Sequence, residues 1–247
     1  MAVMRKIHVI TQKEAVQPHQ IKTCTAVVTD VLLATSTIAT LLHHGAKEVI
    51  PVADEKEGLK LASELAEETY MLCGEQDGHT LDGFLGTDPE TLLAADIADK
   101  AIILSTTNGT VAIRKSMLAK TVYTASFLNG QAVAKDLQKS NDTSSILLVC
   151  SGSQGRFSIE DFLGAGYLIS ELVHENISAW TLTDSAKAAF RLYEHCADNL
   201  ANVLRTSETG NLLRNLGYPD SIEYVTKVGA LPIVPRLVEN RLVAWNV

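Results

Sequence analysis

Cysteine is scarce: Cys24, Cys73, Cys150 and Cys196 are the only four in 247 residues. They form no CxxC pair and no Cys/His cluster at zinc spacing, so neither a disulfide framework nor a structural zinc is expected. Reduced thiols in the cytoplasm are the expectation instead. Long apolar runs are missing as well. No segment approaches the roughly 18 residues of a membrane span, and Met1 to Val16, broken by Arg5, Lys6, Lys13 and Glu14, has no continuous signal-peptide core. Positive charge is in deficit, with 21 Lys+Arg against 29 Asp+Glu and a net charge of −8. That sign excludes an electrostatic grip on nucleic acid or on an anionic membrane. An anionic small molecule would have to be held locally, by dipoles, a few cations or a metal. The familiar catalytic signatures are also absent. There is no GxxxxGK[ST], no GxGxxG after a strand and no HExxH, which removes the usual support for nucleotide hydrolysis, dinucleotide binding and zincin chemistry.

What remains is an ordinary globular composition, 46% hydrophobic and 20% charged. A chain of this length buries roughly three-quarters of its unfolded surface, and no linker-like tract marks a boundary. One domain over residues 1–247, or two intimate lobes, is therefore expected, and a homo-oligomer is left open. The strongest pattern is a β-branched apolar run, then a polar Gly/Ser/Thr-rich turn, then a helical stretch, which is how α/β folds read. Thr25 to Val28 leads to Asp30 and a helix from about Thr35 to His44, whose closing His43-His44 pair suits terminal carbonyls. Glu48 to Val52 precedes a helix with Leu59, Leu61, Leu65 and Ala66 on one face. Tyr70 to Cys73 opens a long loop, Gly74 to Pro89, with four glycines and four acids. Ala101 to Leu104 runs into Ser105 to Thr110 and a helix, Val122 to Thr124 into a helix near Asn129, and Ile146 to Cys150 into a helix over Ser158 to His174. Leu182 to Leu216 reads as mainly helical, and Leu231 to Trp245 as a closing edge strand or hairpin. The apolar runs suit strands buried on both faces, so a layered α/β/α fold with a mostly parallel or mixed sheet is expected.

In such sheets ligands bind beyond the carboxyl ends of the strands. The rule selects Asp30, Glu75, the Thr106 to Thr110 loop and the Cys150 to Asp161 segment. Thr106-Thr107-Asn108-Gly109-Thr110 offers hydroxyls and amides where a strand feeds a helix, a setting that suits a phosphate or sulfonate. It equally suits a plain capped turn, and Thr35-Ser36-Thr37 has the same two readings. Asp30, Glu75, Asp77, Asp82, Glu160 and Asp161 all lie at strand ends, where an oxygen-rich site for Mg²⁺ would draw them together. Each is also explained separately by a solvated loop or a helix N-cap. Leu32, not Asp, stands two residues after Asp30, which breaks the aspartyl-phosphatase motif of the haloacid dehalogenases. Cys150 and Arg156 match the C-x₅-R spacing of cysteine phosphatases, though Val149 replaces the usual preceding His and a buried Cys ending a core strand is commonplace.

Several segments in order resemble the ComB-type 2-phosphosulfolactate phosphatases. They are Val28 to Thr37 (VTDVLLATST), Leu72-Cys73-Gly74-Glu75, Gly83-Phe84-Leu85-Gly86, Thr106 to Thr110 (TTNGT) and Cys150 to Asp161 (CSGSQGRFSIED) with Ala165-Gly166. Ser207-Glu208-Thr209-Gly210 and Val234-Pro235 complete the set. The resemblance spans nearly the whole chain. It implies a cytoplasmic α/β enzyme and Mg²⁺-dependent hydrolysis of 2-phospho-3-sulfolactate to sulfolactate and phosphate. Asp30, Glu75 and Glu160-Asp161 fall on the family's acidic positions and Thr106 to Thr110 on its TTNGT loop. The chain departs from the pattern at Leu33 and Gln76, where the family has Arg, and in the shortened segment Gly83 to Pro89. Two missing guanidiniums remove bidentate anion contacts that Gln does not copy.

The resulting expectation is a phosphomonoesterase for a small anionic hydroxy-acid phosphate. Asp30, Glu75 and Asp161 hold Mg²⁺, and Asp30, Glu75, Glu160 and Asp161 form the catalytic set. Either Asp30 or a metal-activated water attacks phosphorus; the missing aspartyl-phosphatase motif favours water, with Glu160 or Asp161 as its base. Thr35, Ser36, Thr106, Thr107, Asn108, Gly109, Thr110 and Arg156 bind substrate. Two other readings stay open at this point: a cysteine phosphatase using Cys150 and Arg156, and an anion-binding protein without hydrolysis.

Overall fold

The computed structural model describes residues 5–174, 176–218 and 220–245. Residues 1–4 of the Met1 to Val16 stretch and 246–247 of the single-domain span lie outside them. The strands are β1 (Arg5–Ile10), β2 (Thr25–Thr29), β3 (Glu48–Val52), β4 (Tyr70–Gln76), β5 (His79–Thr80), β6 (Ala101–Ser105), β7 (Thr121–Ala125), β8 (Ile146–Cys150), β9 (Trp180–Leu182), β10 (Pro235–Val238) and β11 (Arg241–Ala244). The helices are α1 (Pro18–Ile21), α2 (Ala34–His43), α3 (Glu55–Ala62), α4 (Pro89–Leu92), α5 (Gly109–Ser116), α6 (Gly130–Lys139), α7 (Ile159–Val173), α8 (Asp184–Cys196), α9 (Leu200–Thr206), α10 (Glu208–Asn215) and α11 (Asp220–Val225).

The strands form one sheet in the order β5-β4-β6-β3-β11-β10-β7-β2-β8-β1-β9. Alternation along the strands builds a core on each face. In β2, Val27 packs with Val133 of α6 and Leu168 of α7 on one side, while Ala26 and Val28 pack with Ile38 of α2 and Ile113 of α5 on the other. The result is the layered α/β/α arrangement. Among the described residues no helix is long and apolar enough to cross a membrane.

Two parallel blocks make up the sheet, β4-β6-β3 and β7-β2-β8-β1-β9. The β10/β11 hairpin joins them through antiparallel contacts on both sides. The hairpin is thus central, not at the edge expected from its prolines. Pro235 tolerates this position because it is the first residue of β10, where a missing N–H costs little. Glu239 and Asn240, at φ 49° and 65°, make the tight connection. Three antiparallel contacts point the blocks in opposite senses, but a twist of roughly 20–25° per strand turns one across the other. Their carboxyl ends meet: Nζ of Lys13, after β1, donates to Asn108 Oδ1, after β6, at 2.7 Å.

Other expectations need correcting. The helix after β3 ends at Ala62 and buries Gly58 and Ala62, whereas Leu59 and Leu65 are exposed. Residues 59 and 61 are about 200° apart on a helix and cannot share a face. Strand β4 runs three residues past Cys73 and carries Glu75 within it, so Glu75 belongs to the strand, not to the loop behind it.

Candidate active site

Asp30 terminates β2 and is buried. The turn that holds it is tied by its own sequence. The Thr35 hydroxyl donates to Asp30 O at 2.9 Å and accepts from Asp30 N at 3.0 Å, and Ser36 Oγ donates to Val31 O. Thr35 and Ser36, expected to touch substrate, therefore spend their hydroxyls on positioning Asp30. Asp30 Oδ1 accepts from Ala34 N at 3.3 Å, and among the described residues no donor reaches Oδ2. Gly109 fits against this carboxylate because it has no side chain. A Cβ there would lie 2.8 Å from Asp30 Oδ2 and 2.3 Å from Ala34 Cβ.

Glu75 grips the TTNGT loop. Its Oε1 accepts from Thr107 N at 2.7 Å, and its Oε2 accepts from Thr107 Oγ1 at 3.1 Å and Gly78 N at 2.8 Å. Thr107 Oγ1 also accepts from Asp77 N. Thr106 and Thr110 bond reciprocally, each hydroxyl accepting from the other's amide, which seats the start of α5. Thr110 is fully buried by this exchange. Thr106, Thr107 and Asn108 line the cavity while Gly109 and Thr110 stand behind it.

Glu160 and Asp161 open α7, capped by Ser158. Asp161 staples two strand ends: Oδ1 accepts from Val31 N at 2.9 Å and Oδ2 from Gly152 N at 3.0 Å. Glu160 is buried in an adjoining depression with Ser158, Ser207 and Glu208, which shares Ser153 and Thr209 with the main cavity. Arg156 reaches neither. Its side chain is 60% exposed and pairs with Glu208 at 2.9 Å. Asp82 is exposed outside the cavity, whereas Asp77 lines it and accepts from Gln154 Nε2. Cys150 is fully buried in the core, and burial and the Asp161 charge push its thiol up, the opposite of an activated nucleophile.

The cavity contains about 750 Å³ of empty space, its open mouth included. Its oxygen-rich wall is Asp30, Glu75 and Thr106 to Asn108, and its apolar wall is Leu32, Leu33, Leu212, Leu213 and Tyr218. The electrostatics are those of crowded carboxylates. Burial, then the charges of Glu75 and Glu160, raise Asp30 to about 7 from 3.8, against the pull of the Ala34 amide and Lys13. Burial and the charges of Asp30 and Glu160 likewise raise Asp161, against its two amide donors.

The profile of the 2-phosphosulpholactate phosphatase family matches residues 10–240. This chain belongs to that family. Its relatives include proteins named probable 2-phosphosulfolactate phosphatase from Clostridium beijerinckii, 34% identical over 96% of this chain and 98% of the relative, and from Thermotoga maritima, 40% identical over 87% and 90%. A third, from Carboxydothermus hydrogenoformans, is 40% identical over 88% of each chain. The ComB family consists of phosphoric monoester hydrolases. Of the two departures from the ComB pattern, Leu33 lines the cavity and Gln76 is exposed outside it.

Sequence reasoning missed Lys13. Its side chain is only 6% exposed and lies behind the ComB TTNGT loop, held by Asn108 Oδ1, Ser151 O and Glu14. Lys13 stands three residues beyond β1, and the strand-end rule would have found it had that strand been recognised. The apolar wall from α10 was missed too, because Leu182 to Leu216 reads only as mainly helical and nothing local marks Leu212 and Leu213 as facing a cavity.

Proposed function

We propose that this chain is a Mg²⁺-dependent phosphomonoesterase that hydrolyses 2-phospho-3-sulfolactate, or a related small hydroxy-acid phosphate, to the free hydroxy acid and phosphate. The observation that carries the reading is the buried Asp30 carboxylate, with an unengaged oxygen at the end of β2, sharing one cavity with Glu75 and the threonine loop. Family membership supports the reaction class.

The donor set suits a hard cation, since every candidate ligand is oxygen. Among the described residues no group of three or more His, Cys, Asp or Glu side chains stands close enough to enclose a metal. That fits Mg²⁺, which usually keeps several waters and takes one or two carboxylates plus a substrate phosphate. Asp30 would hold the ion directly, and Glu75 and Asp161, whose oxygens already accept amides, would act through water. Bound Mg²⁺ would neutralise charge developing on the phosphoryl oxygens.

The chain's own groups do the rest. Glu75 fixes Thr107 so that the loop presents the N-terminal end of α5 to the phosphate. Lys13, bonded to the Asn108 side chain, supplies positive charge from behind. Asp161 holds the ends of β2 and β8 together, and with both oxygens engaged it leaves Glu160 to take the proton of the attacking water.

The test is phosphate release from 2-phospho-3-sulfolactate and 2-phospholactate with Mg²⁺ and with excess EDTA. Release that requires Mg²⁺ is expected. Equal release in EDTA, or saturable ligand binding without phosphate release, would overturn the reading.

A further inference from the structure

Beside the oxygen wall and the leucines, the cavity has polar lining that phosphoryl transfer leaves unused: Thr80 from β5, Thr87 and Asp88 from the segment before α4, and the hydroxyl of Tyr218 from just beyond α10. Asp88 is spent, since its oxygens accept from Ser221 Oγ, Thr91 N and Thr91 Oγ1. Thr87 is not. It is only 8% exposed and its carbonyl accepts from Thr37 Oγ1, yet among the described residues neither its hydroxyl nor its amide has a partner. Free polar groups at a buried residue are costly, and a hydroxyl and an amide left free together mark a place prepared for an acceptor from outside the chain. The hydroxyls of Thr80 and Tyr218 are likewise unengaged among the described residues.

Gly86 brings the two hydroxyls to one place. A Cβ on this residue would lie 3.2 Å from Thr80 Oγ1 and 3.9 Å from Tyr218 Oη, so groups far apart in sequence face one small space that a glycine keeps open, with Thr87 next in the chain. The segment is fixed. Gly74 N donates to Leu85 O and Leu85 N to Leu72 O, which ties its start to β4, and Thr37 Oγ1, bonded to both Leu33 O and Thr87 O, ties its end to α2. All the free groups are neutral donors, and among the described residues no Lys, Arg or His lines the cavity. A sulfonate suits such a set: it has three equivalent oxygens over which its charge is spread, and hydrogen bonds from neutral donors to an ionised acceptor are stronger than those to a neutral one.

We propose that Thr80, Thr87 and Tyr218 form a subsite for the sulfonate arm of the substrate, and that the hydroxyls of Thr87 and Tyr218 select a sulfonated ester over its unsulfonated analogue. The inference rests on the phosphomonoesterase reading and assigns the residues that read the end of the substrate remote from the phosphoryl group. A site that hydrogen-bonds a substrate group rejects the analogue lacking it, because its own buried donors are then left unpaired.

A matched pair of esters tests it. 2-Phospholactate keeps the carboxylate and phosphate of 2-phospho-3-sulfolactate and has hydrogen in place of the sulfonate. With the full chain in Mg²⁺, the wild type should prefer the sulfonated ester. Tyr218→Phe and Thr87→Val should each raise KM for that ester by about tenfold or more, the scale of one hydrogen bond to a charged group. The arm does not react, so kcat should hold, and both constants for 2-phospholactate should stay within about twofold. Thr87 is buried, so Tyr218→Phe, which keeps the ring at a half-buried position, decides the matter if Thr87→Val fails to fold. A wild type without the preference, an unchanged KM in the folded variants, or equal losses for both esters, which would give these groups to the carboxylate or to the fold, would each overturn the inference while leaving the phosphatase reading standing. Phosphate release from neither ester by the wild type would overturn the phosphatase reading and the inference with it.

Discussion

Replacing Asp30 by Asn should make the metal-free protein more stable at alkaline pH, although it removes a central residue. Asp30 has its proton affinity raised from 3.8 to about 7 by burial and by the Glu75 and Glu160 charges. Between those values the folded state keeps a proton that the unfolded chain has released, so stability falls as pH rises through that window and levels off above about pH 8. At 1.36 kcal/mol per tenfold change in affinity, the full cost is about 4 kcal/mol. Part of it is shared with neighbouring carboxylates, and about 2–4 kcal/mol is expected. For a chain of this size that is roughly 5–15 °C in melting temperature. The side-chain amide of the Asp30→Asn variant carries no charge at any of these pH values, and its oxygen still accepts from Ala34 N. The assay is thermal or urea unfolding of both proteins from pH 5 to pH 8.5 in EDTA, then again in Mg²⁺. The gap should open with pH in EDTA, and Mg²⁺ should close it by stabilising the wild type alone. Curves that stay parallel within about 0.5 kcal/mol, or equal Mg²⁺ stabilisation of both proteins, would refute the reasoning.

Three further outcomes follow from the geometry. Gly109→Ala should cost at least about tenfold in kcat/KM with the far-ultraviolet spectrum unchanged, because the new Cβ displaces Asp30 or the start of α2 and small misplacements are expensive; a fully active variant would show that the Asp30 position is not critical. Lys13→Met should lower kcat/KM by about ten- to a hundredfold through loss of a charge-assisted bond to the loop, and unchanged kinetics would deny Lys13 its supporting role. Cys150→Ser should retain Mg²⁺-dependent turnover, and the folded enzyme should resist thiol alkylation at this position by mass spectrometry; loss of turnover with the fold intact would revive a cysteine mechanism.

The strand–turn–helix units were legible because β2, β6 and β8 are buried on both faces and so read as continuous apolar runs. Strand β1 was not. Its RKIHVI alternates charged and apolar residues, with only Ile7 and Val9 buried, and so read as a charged stretch. Missing β1 hid Lys13. The hairpin's place in the sheet depends on which strands it meets, Tyr123 opposite Arg236 and Val49 opposite Leu242, and local pattern carries no such long-range register. In the site, the strand-end rule gathered Asp30, Glu75 and the threonine loop in one place. It cannot tell a residue facing the cavity from one bracing it, since both obey the same turn chemistry. Thr35, Ser36, Thr110 and Asp161 brace, and Arg156 lies outside because its partner, Glu208 on α10, is distant in sequence.

The most direct measurement is phosphate release in Mg²⁺ by wild-type protein and Asp30→Asn, side by side on the same phosphate ester. If Asp30 holds the ion that stabilises the transferring phosphoryl group, the variant should lose about a thousandfold or more in kcat, several kcal/mol of transition-state stabilisation. An Asp30→Asn protein with wild-type, Mg²⁺-dependent turnover would contradict the account.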